Sequence, residues 1–119
     1  MTTRVLILGG GFAGLFAARE IKRRLGGRAQ VELVNEENYF VFQPLLPEVA
    51  AGSITAVHAV SPLRFLLRDV AVRKARVAGL DVDRRIVTVF QGVQRRPTEL
   101  PYDYLVVALG QKVDLSRMP

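Results

Sequence analysis

Residues 4–20 read RVLILGGGFAGLFAARE, and the fold follows from how that stretch changes character at its centre. Val5 to Leu8 form an unbroken apolar run. Such a run suits a strand buried on both faces of a parallel sheet better than a half-exposed strand, which would alternate. Gly9-Gly10-Gly11 ends it. From about residue 12 to 25 the period becomes helical, with Leu15, Ala18, Ile21 and Leu25 on one face and Arg19, Glu20, Arg23 and Arg24 turned away. The basic residues gather near the end of this helix, where they suit its negative pole, and Gly26-Gly27 stops it. QVELVN, residues 30–35, then reads as a second strand. Strand, helix and strand within 35 residues make a right-handed crossover joining parallel strands.

The spacing of Gly9, Gly11 and Gly14 is GxGxxG, set between the first strand and the first helix. Each position has a physical task in a dinucleotide fingerprint. Gly9 allows the tight turn out of the strand. Gly11, lacking a side chain, lets a pyrophosphate approach the backbone. Gly14 lets the helix pack closely on the sheet. The helix start, through Phe12 and Ala13, offers N–H groups and the positive dipole end to phosphate oxygens. An acid that binds ribose hydroxyls is expected where the second strand ends, about 20 residues on. The chain reads Asn35-Glu36-Glu37 there, so Asn35 or Glu36 holds that position, depending on register. No basic residue immediately follows the strand to hold a 2′-phosphate, which leans against NADP.

The rest of the chain is less regular. Residues 36–60 read as a long, unusually apolar loop, and loops of that length are uncommon unless functional. Tyr39, Phe40 and Phe42 within it are expected to pack in the core, and Glu48 to be solvated. Ser61-Pro62 before LRFLLRD suggests a short helix with Ser61 as its cap. VAVRKARVAGLDVD (70–83) and RIVTVF (85–90) look like antiparallel strands of a small meander. QGVQRRPTELP (91–101) reads as a polar turn, and Tyr104 to Leu109 as a further buried strand ending at Gly110.

Bulk properties exclude several classes. The chain has 119 residues, half of them hydrophobic, enough for one domain or part of one. Its charge is +6. The arginines are spread along the chain without aromatic interleaving, so a solvated basic surface is expected and no nucleic-acid partner. With no cysteine, disulfides, thiolate metal sites and a redox dithiol are excluded within the chain. His58, the single histidine, has no ligand partner at metal spacing, so no metal is expected. The first twenty residues do not read as a signal peptide, and no run approaches the ~20 apolar residues a membrane span needs, so the expected location is cytoplasmic.

These residues resemble the flavoproteins with two dinucleotide-binding domains, which include disulfide reductases, ferredoxin reductases and type II NADH dehydrogenases. VLILGGGFAGLFAARE is similar to their FAD fingerprint, and LPYDYLVVALG to their second one. Asn38-Tyr39-Phe40-Val41-Phe42-Gln43-Pro44-Leu45-Leu46 resembles type II NADH dehydrogenases in particular. The resemblance implies an α/β, Rossmann-like FAD/NAD(P)-binding domain, a parallel sheet with a small antiparallel β-meander. Residues 1–119 would be the N-terminal part of the FAD domain, with the NAD(P)H domain, the last strand of the FAD domain and the C-terminal membrane-attaching helices outside this chain. It implies FAD as cofactor, NADH as co-substrate and quinone as acceptor. By the same resemblance Gly9, Gly11 and Gly14 hold the pyrophosphate, and Asn35 or Glu36 takes the ribose. Val77 presents backbone groups to the adenine. Ala108 and Gly110 lie against the phosphate region, and Gln43 and Pro44 near the flavin ring. Two departures stand out. The family usually has an acid at the position of Asn35 and Thr at the position of Leu109. A parent enzyme of this kind would sit peripherally at the inner face of the cell membrane, and open sheet edges predict a tendency to dimerise. The alternatives are a sulfide:quinone or ferredoxin-type reductase, or a non-catalytic dinucleotide-binding module.

Overall fold

The structure is a computed structural model that describes residues 2–37, 39–41, 50–52, 60–92 and 96–110. The apolar run forms β1, Thr3–Leu8, and the helical stretch forms α1, Phe12–Leu25. A short 3-10 turn, Gly26–Arg28, leads into β2, Ala29–Asn35. These three elements match the expectation closely. The carbonyls at the end of α1 have no partners within the helix, and basic side chains satisfy several of them or their neighbours. The Lys22 ammonium donates to the carbonyls of Gly26 and Ala29, both at 3.1 Å, and Arg28 donates to Arg24 at 3.0 Å. On the exposed face, Arg23 and Arg24 both bind Glu20, at 2.6 and 2.7 Å. Hydrogen bonds from Arg23, then Arg24, hold the Glu20 carboxyl at about 2, below its ordinary value of 4.5.

The strands β5 (Ala71–Lys74) and β9 (Tyr104–Val107) complete a four-stranded sheet in the order β5-β2-β1-β9. All three pairings are parallel. The strands β6 (Arg76–Asp81), β7 (Ile86–Gln91) and β8 (Arg96–Pro101) form an antiparallel meander. Side chains of β1 alternate between the two faces, as a strand requires. Val5 and Ile7 pack with Leu15 and Ala18 of α1, whereas Leu6 and Leu8 pack with Val87, Val89 and Leu100 of the meander. The parallel sheet is therefore covered on both sides, by the helix on one and by the meander on the other, which is why β1 had to be apolar throughout. Phe40 joins the helix-side core as expected; the side chain of Tyr39 and residue Phe42 lie outside what is described.

Five expectations are corrected. Residues 104–109 are not a buried strand: β9 ends at Val107 and lies at the sheet edge, with Tyr104, Val107 and Leu109 exposed. Residues 36–60 are not wholly loop, because β3 (Tyr39–Val41) pairs antiparallel with β4 (Val60–Pro62). Ser61 is not a helix cap: it lies in β4, and the four-residue helix α2, Leu63–Leu66, starts from Pro62 with no side-chain cap. The stretch 70–83 is not one meander strand. It breaks at Ala75, and its first half, β5, pairs with β2 in the parallel sheet. Residues 96–101 are a strand rather than a turn. Prolines 97 and 101 are tolerated because β8 is the edge of the meander, where a missing N–H costs no ladder bond.

Arg73 on β5 binds Glu32 of β2 and, at 2.8 Å, Gln91 of β7, so one side chain ties the sheet edge to the meander. Among the described residues no helix is long and apolar enough to cross a membrane.

Candidate functional site

The carboxyl ends of β1, β2 and β5 meet the start of α1, and the sequence-predicted glycines lie there. Gly9 leaves β1 with φ +109. Its N–H donates to the Val34 carbonyl at 2.8 Å, which ties the turn to β2. A Cβ at Gly9 would stand 2.0 Å from the Ala108 carbonyl oxygen. The Ala108 N–H in turn donates to Leu8 at 2.7 Å. Positions 9 and 108, 99 residues apart, thus touch backbone to backbone, and only glycine meets both the dihedral and the space. At Gly14 a Cβ would lie 1.8 Å from the Gly9 carbonyl oxygen, so the helix rests directly on the turn.

Gly11 differs. A Cβ there would meet nothing within 4 Å. It is the N-cap of α1, and its carbonyl accepts the first helical bond, from the Leu15 N–H at 2.9 Å. The amides of Ala13 and Gly14 precede that bond and emerge from the helix end. Among the described residues no side chain caps this end, and no acid lies in its first turn. The result is an open space against the positive pole of a 14-residue helix, which fits a pyrophosphate. The Phe12 ring is turned aside, edge-on to Phe40 with centroids 5.1 Å apart and stacked on Phe16 at 6.4 Å.

A second concavity adjoins the end of β2. It has a volume of about 380 Å³ and is lined by Val34, Asn35, Glu36, Glu37, Ala75, Val77 and Leu109. The Asn35 carbonyl accepts the Ala75 N–H at 2.9 Å, and this bond carries the chain from β5 into β6 and brings Val77 to the cavity. The Asn35 side chain faces the glycine turn: its Oδ1 accepts the Gly10 N–H at 3.0 Å, and its Nδ2 donates to the Glu37 carbonyl at 2.9 Å. Glu36 is exposed and lines the cavity.

Gly9, Gly11, Phe12, Ala13, Gly14 and Ala108 therefore share the turn, and Asn35, Glu36 and Val77 share the adjoining cavity. Gly110, exposed with φ +70, follows Leu109. Gln43, Pro44 and His58 fall outside the described residues. Sequence reasoning passed over Gly10. A Cβ there would lie 2.9 Å from the Asn35 amide nitrogen and 3.1 Å from Leu63, so a third glycine makes room for Asn35. The only hint was the unbroken run of three glycines.

Residues 3–119 match the family model for pyridine nucleotide-disulphide oxidoreductases. The chain is 30% identical to the mitochondrial external alternative NAD(P)H-ubiquinone oxidoreductase B1 of Solanum tuberosum, over 98% of this chain and 21% of that protein. It is 34% identical to the type II NADH:quinone oxidoreductase Ndh of Mycobacterium tuberculosis, over 90% of this chain and 23% of that one. The chain thus spans between a fifth and a quarter of these relatives' length. The structure of NDH2 from Plasmodium falciparum in complex with NADH superposes with a TM-score of 0.88 at 23% identity, over 98% of this chain and 24% of that one, and so shares the fold.

Proposed function

Since this chain belongs to the pyridine nucleotide-disulphide oxidoreductase family, we propose that it is the FAD-binding part of a flavin-dependent NADH:quinone oxidoreductase. The reaction is supported by the names of its relatives, which are NAD(P)H- and NADH-quinone oxidoreductases. The observation that carries the binding site is the open space at Gly11, against a helix start that no described side chain caps and that has no acid in its first turn. An anion belongs there, and the adjoining cavity with Glu36 takes the nucleoside.

In this reading the backbone of Gly9, Gly11, Phe12, Ala13 and Gly14 receives the pyrophosphate. Glu36 accepts hydrogen bonds from the ribose hydroxyls. Val77 offers backbone groups to the adenine, and Ala108 and Gly110 border the phosphate region. Gln43 and Pro44 are assigned to the flavin ring on sequence resemblance alone. Residues 1–119 are the first part of the FAD domain. FAD, when bound, supplies the hydride acceptor for NADH and the electron donor for quinone. No side chain of this chain acts as acid, base or nucleophile. Its residues fix the dinucleotide, and the two covered faces of the sheet keep the glycine turn rigid. The parent enzyme works at the inner face of the membrane; the lipid solubility of a quinone acceptor supports the membrane surface itself. Pairing of two copies through the sheet edge at β9, where Tyr104 and Val107 are exposed, gives a homodimer.

Titration of FAD with the purified chain, read as quenching of flavin fluorescence, tests the site. The expected result is saturable one-to-one binding that an equal concentration of NAD does not displace. A folded chain that leaves the flavin signal unchanged would refute the assignment.

A further inference from the structure

We propose that Asn35 is a positioning residue that holds Glu36 toward the ribose, so that the two tasks of a strand-end acid are divided between neighbouring side chains. The proposal rests on the dinucleotide reading above and adds to it which residue touches the ligand and which does not.

Both ends of the Asn35 amide are engaged by backbone. One end accepts from Gly10 at 3.0 Å, and the other donates to the carbonyl of Glu37 at 2.9 Å. The first bond fixes the glycine turn that borders the phosphate space. The second fixes the two residues after β2, including Glu36. Only a side chain that both accepts and donates across this span makes the pair, and a carboxylate accepts only. Gly10 completes the arrangement, since a Cβ there would stand 3.0 Å from the Asn35 Cγ. An acid at position 35 would keep the bond to Gly10 but lose the one to Glu37, and would add a third negative charge beside Glu36 and Glu37. The departure from the acid expected at position 35 is therefore a consistent local design. Asn35 braces the turn, and the carboxylate that meets the hydroxyls has moved one residue on, to Glu36 on the cavity wall.

The test uses the whole chain with ADP and 2′-deoxy-ADP as probes, titrated calorimetrically at pH 8, in wild type, Asn35→Asp and Glu36→Gln. Glu36 is exposed, and melting curves of Glu36→Gln check that its fold is intact. In wild type, ADP binds more tightly than 2′-deoxy-ADP, by about tenfold for one hydrogen bond to a charged acceptor. Glu36→Gln brings that ratio close to one. Asn35→Asp binds ADP about tenfold more weakly than wild type, because a carboxylate cannot donate to the Glu37 carbonyl. Had Asn35 itself held the ribose, the sign would reverse: the introduced carboxylate would bind ADP more tightly than wild type. That reversal, or no difference between Asn35→Asp and wild type, overturns the proposal while leaving the dinucleotide site standing. A discrimination ratio that survives Glu36→Gln overturns it too. A folded wild-type chain that binds no ADP removes the dinucleotide reading and this proposal with it. The ratio of ADP to 2′-deoxy-ADP affinity separates positioning from a general loss of structure: a displaced Glu36 lowers the ratio in Asn35→Asp, whereas partial unfolding weakens both probes alike and leaves it unchanged, which would overturn the proposal.

Discussion

Replacing Gly14 with alanine sets two effects of opposite sign against each other, and the structure decides between them. Alanine is the better helix former by about 1 kcal/mol, because glycine loses more backbone entropy when it is ordered. On an open helix face Gly14→Ala would therefore stabilise. Here the added methyl would lie 1.8 Å from the Gly9 carbonyl oxygen and 3.5 Å from the Ile7 side chain. The oxygen belongs to a turn pinned by the Gly9–Val34 bond and pressed against Ala108, so it has no room to yield. The helix must withdraw by more than an ångström. Leu15 and Ala18, 3% and 0% exposed, then lose contact with Val5 and Ile7. A gap of 0.5–1 Å already forfeits roughly a quarter to a half of a contact's dispersion energy. Overpacking of a core costs about 1–3 kcal/mol, and occasionally more. With rigid backbone as the obstacle, the upper end applies, and the net effect is a loss of about 2 kcal/mol after the propensity gain. Urea unfolding followed by circular dichroism should show a midpoint about 1 M lower at unchanged slope, for a slope of about 2 kcal/mol per molar. A variant that unfolds at the same urea concentration as wild type, or a higher one, would refute the close approach of helix and turn.

Gly11→Ala should separate binding from folding. Nothing lies within 4 Å of the new methyl, so unfolding should change by no more than about 0.5 kcal/mol, while FAD affinity in the fluorescence titration should fall at least about tenfold as the phosphate space fills. Arg85 holds φ +55 in the turn between β6 and β7, a conformation that costs an L-residue about 1–2 kcal/mol, against about 0.5–1 kcal/mol of backbone entropy that glycine would lose; Arg85→Gly should therefore raise the melting temperature slightly, and a lower one would show that the arginine side chain matters more than the dihedral. The Glu20 carboxyl is depressed to about 2 by Arg23 and then Arg24, so its contribution to stability is present above its unfolded value near 4.5 and lost as pH falls toward 2. Because the cluster is exposed, the effect is small and weakened by salt. Melting curves of wild type and Glu20→Gln should therefore differ slightly at pH 6 in low salt and coincide at pH 2; curves that diverge at low pH would contradict the assignment.

What was legible in the sequence is what local chemistry determines. The β1–α1–β2 unit could be read because an apolar run, a glycine spacing and a 3.6-residue period each act within a few residues. What was missed depends on pairing across long separations. Nothing at Ala75 marks a break between β5 and β6, and the break exists because the chain leaves β2 for the meander there, through the Asn35–Ala75 bond. RPTELP carries two prolines and two charges and would not form a strand alone; it does so because β7 offers a partner along its whole length. The three-residue strands β3 and β4 are likewise visible only as a pair.

The same division runs through the site. The glycines announce where a dinucleotide binds, because spacing alone gives the turn and the helix start. The choice between Asn35 and Glu36 was left open because register tells which residue ends the strand and not which groups its side chain meets. That answer came from Gly10, whose amide takes the Asn35 oxygen, and from the Glu37 carbonyl, which takes the nitrogen. Nor could the sequence tell why Gly9 tolerates no side chain: the obstacle is Ala108, at the far end of the chain. A turn that needs both the first and the last strand to hold its shape couples the phosphate space to the integrity of the whole sheet. Loosening β9 should therefore weaken dinucleotide binding even though none of its side chains lines the cavity beside Glu36.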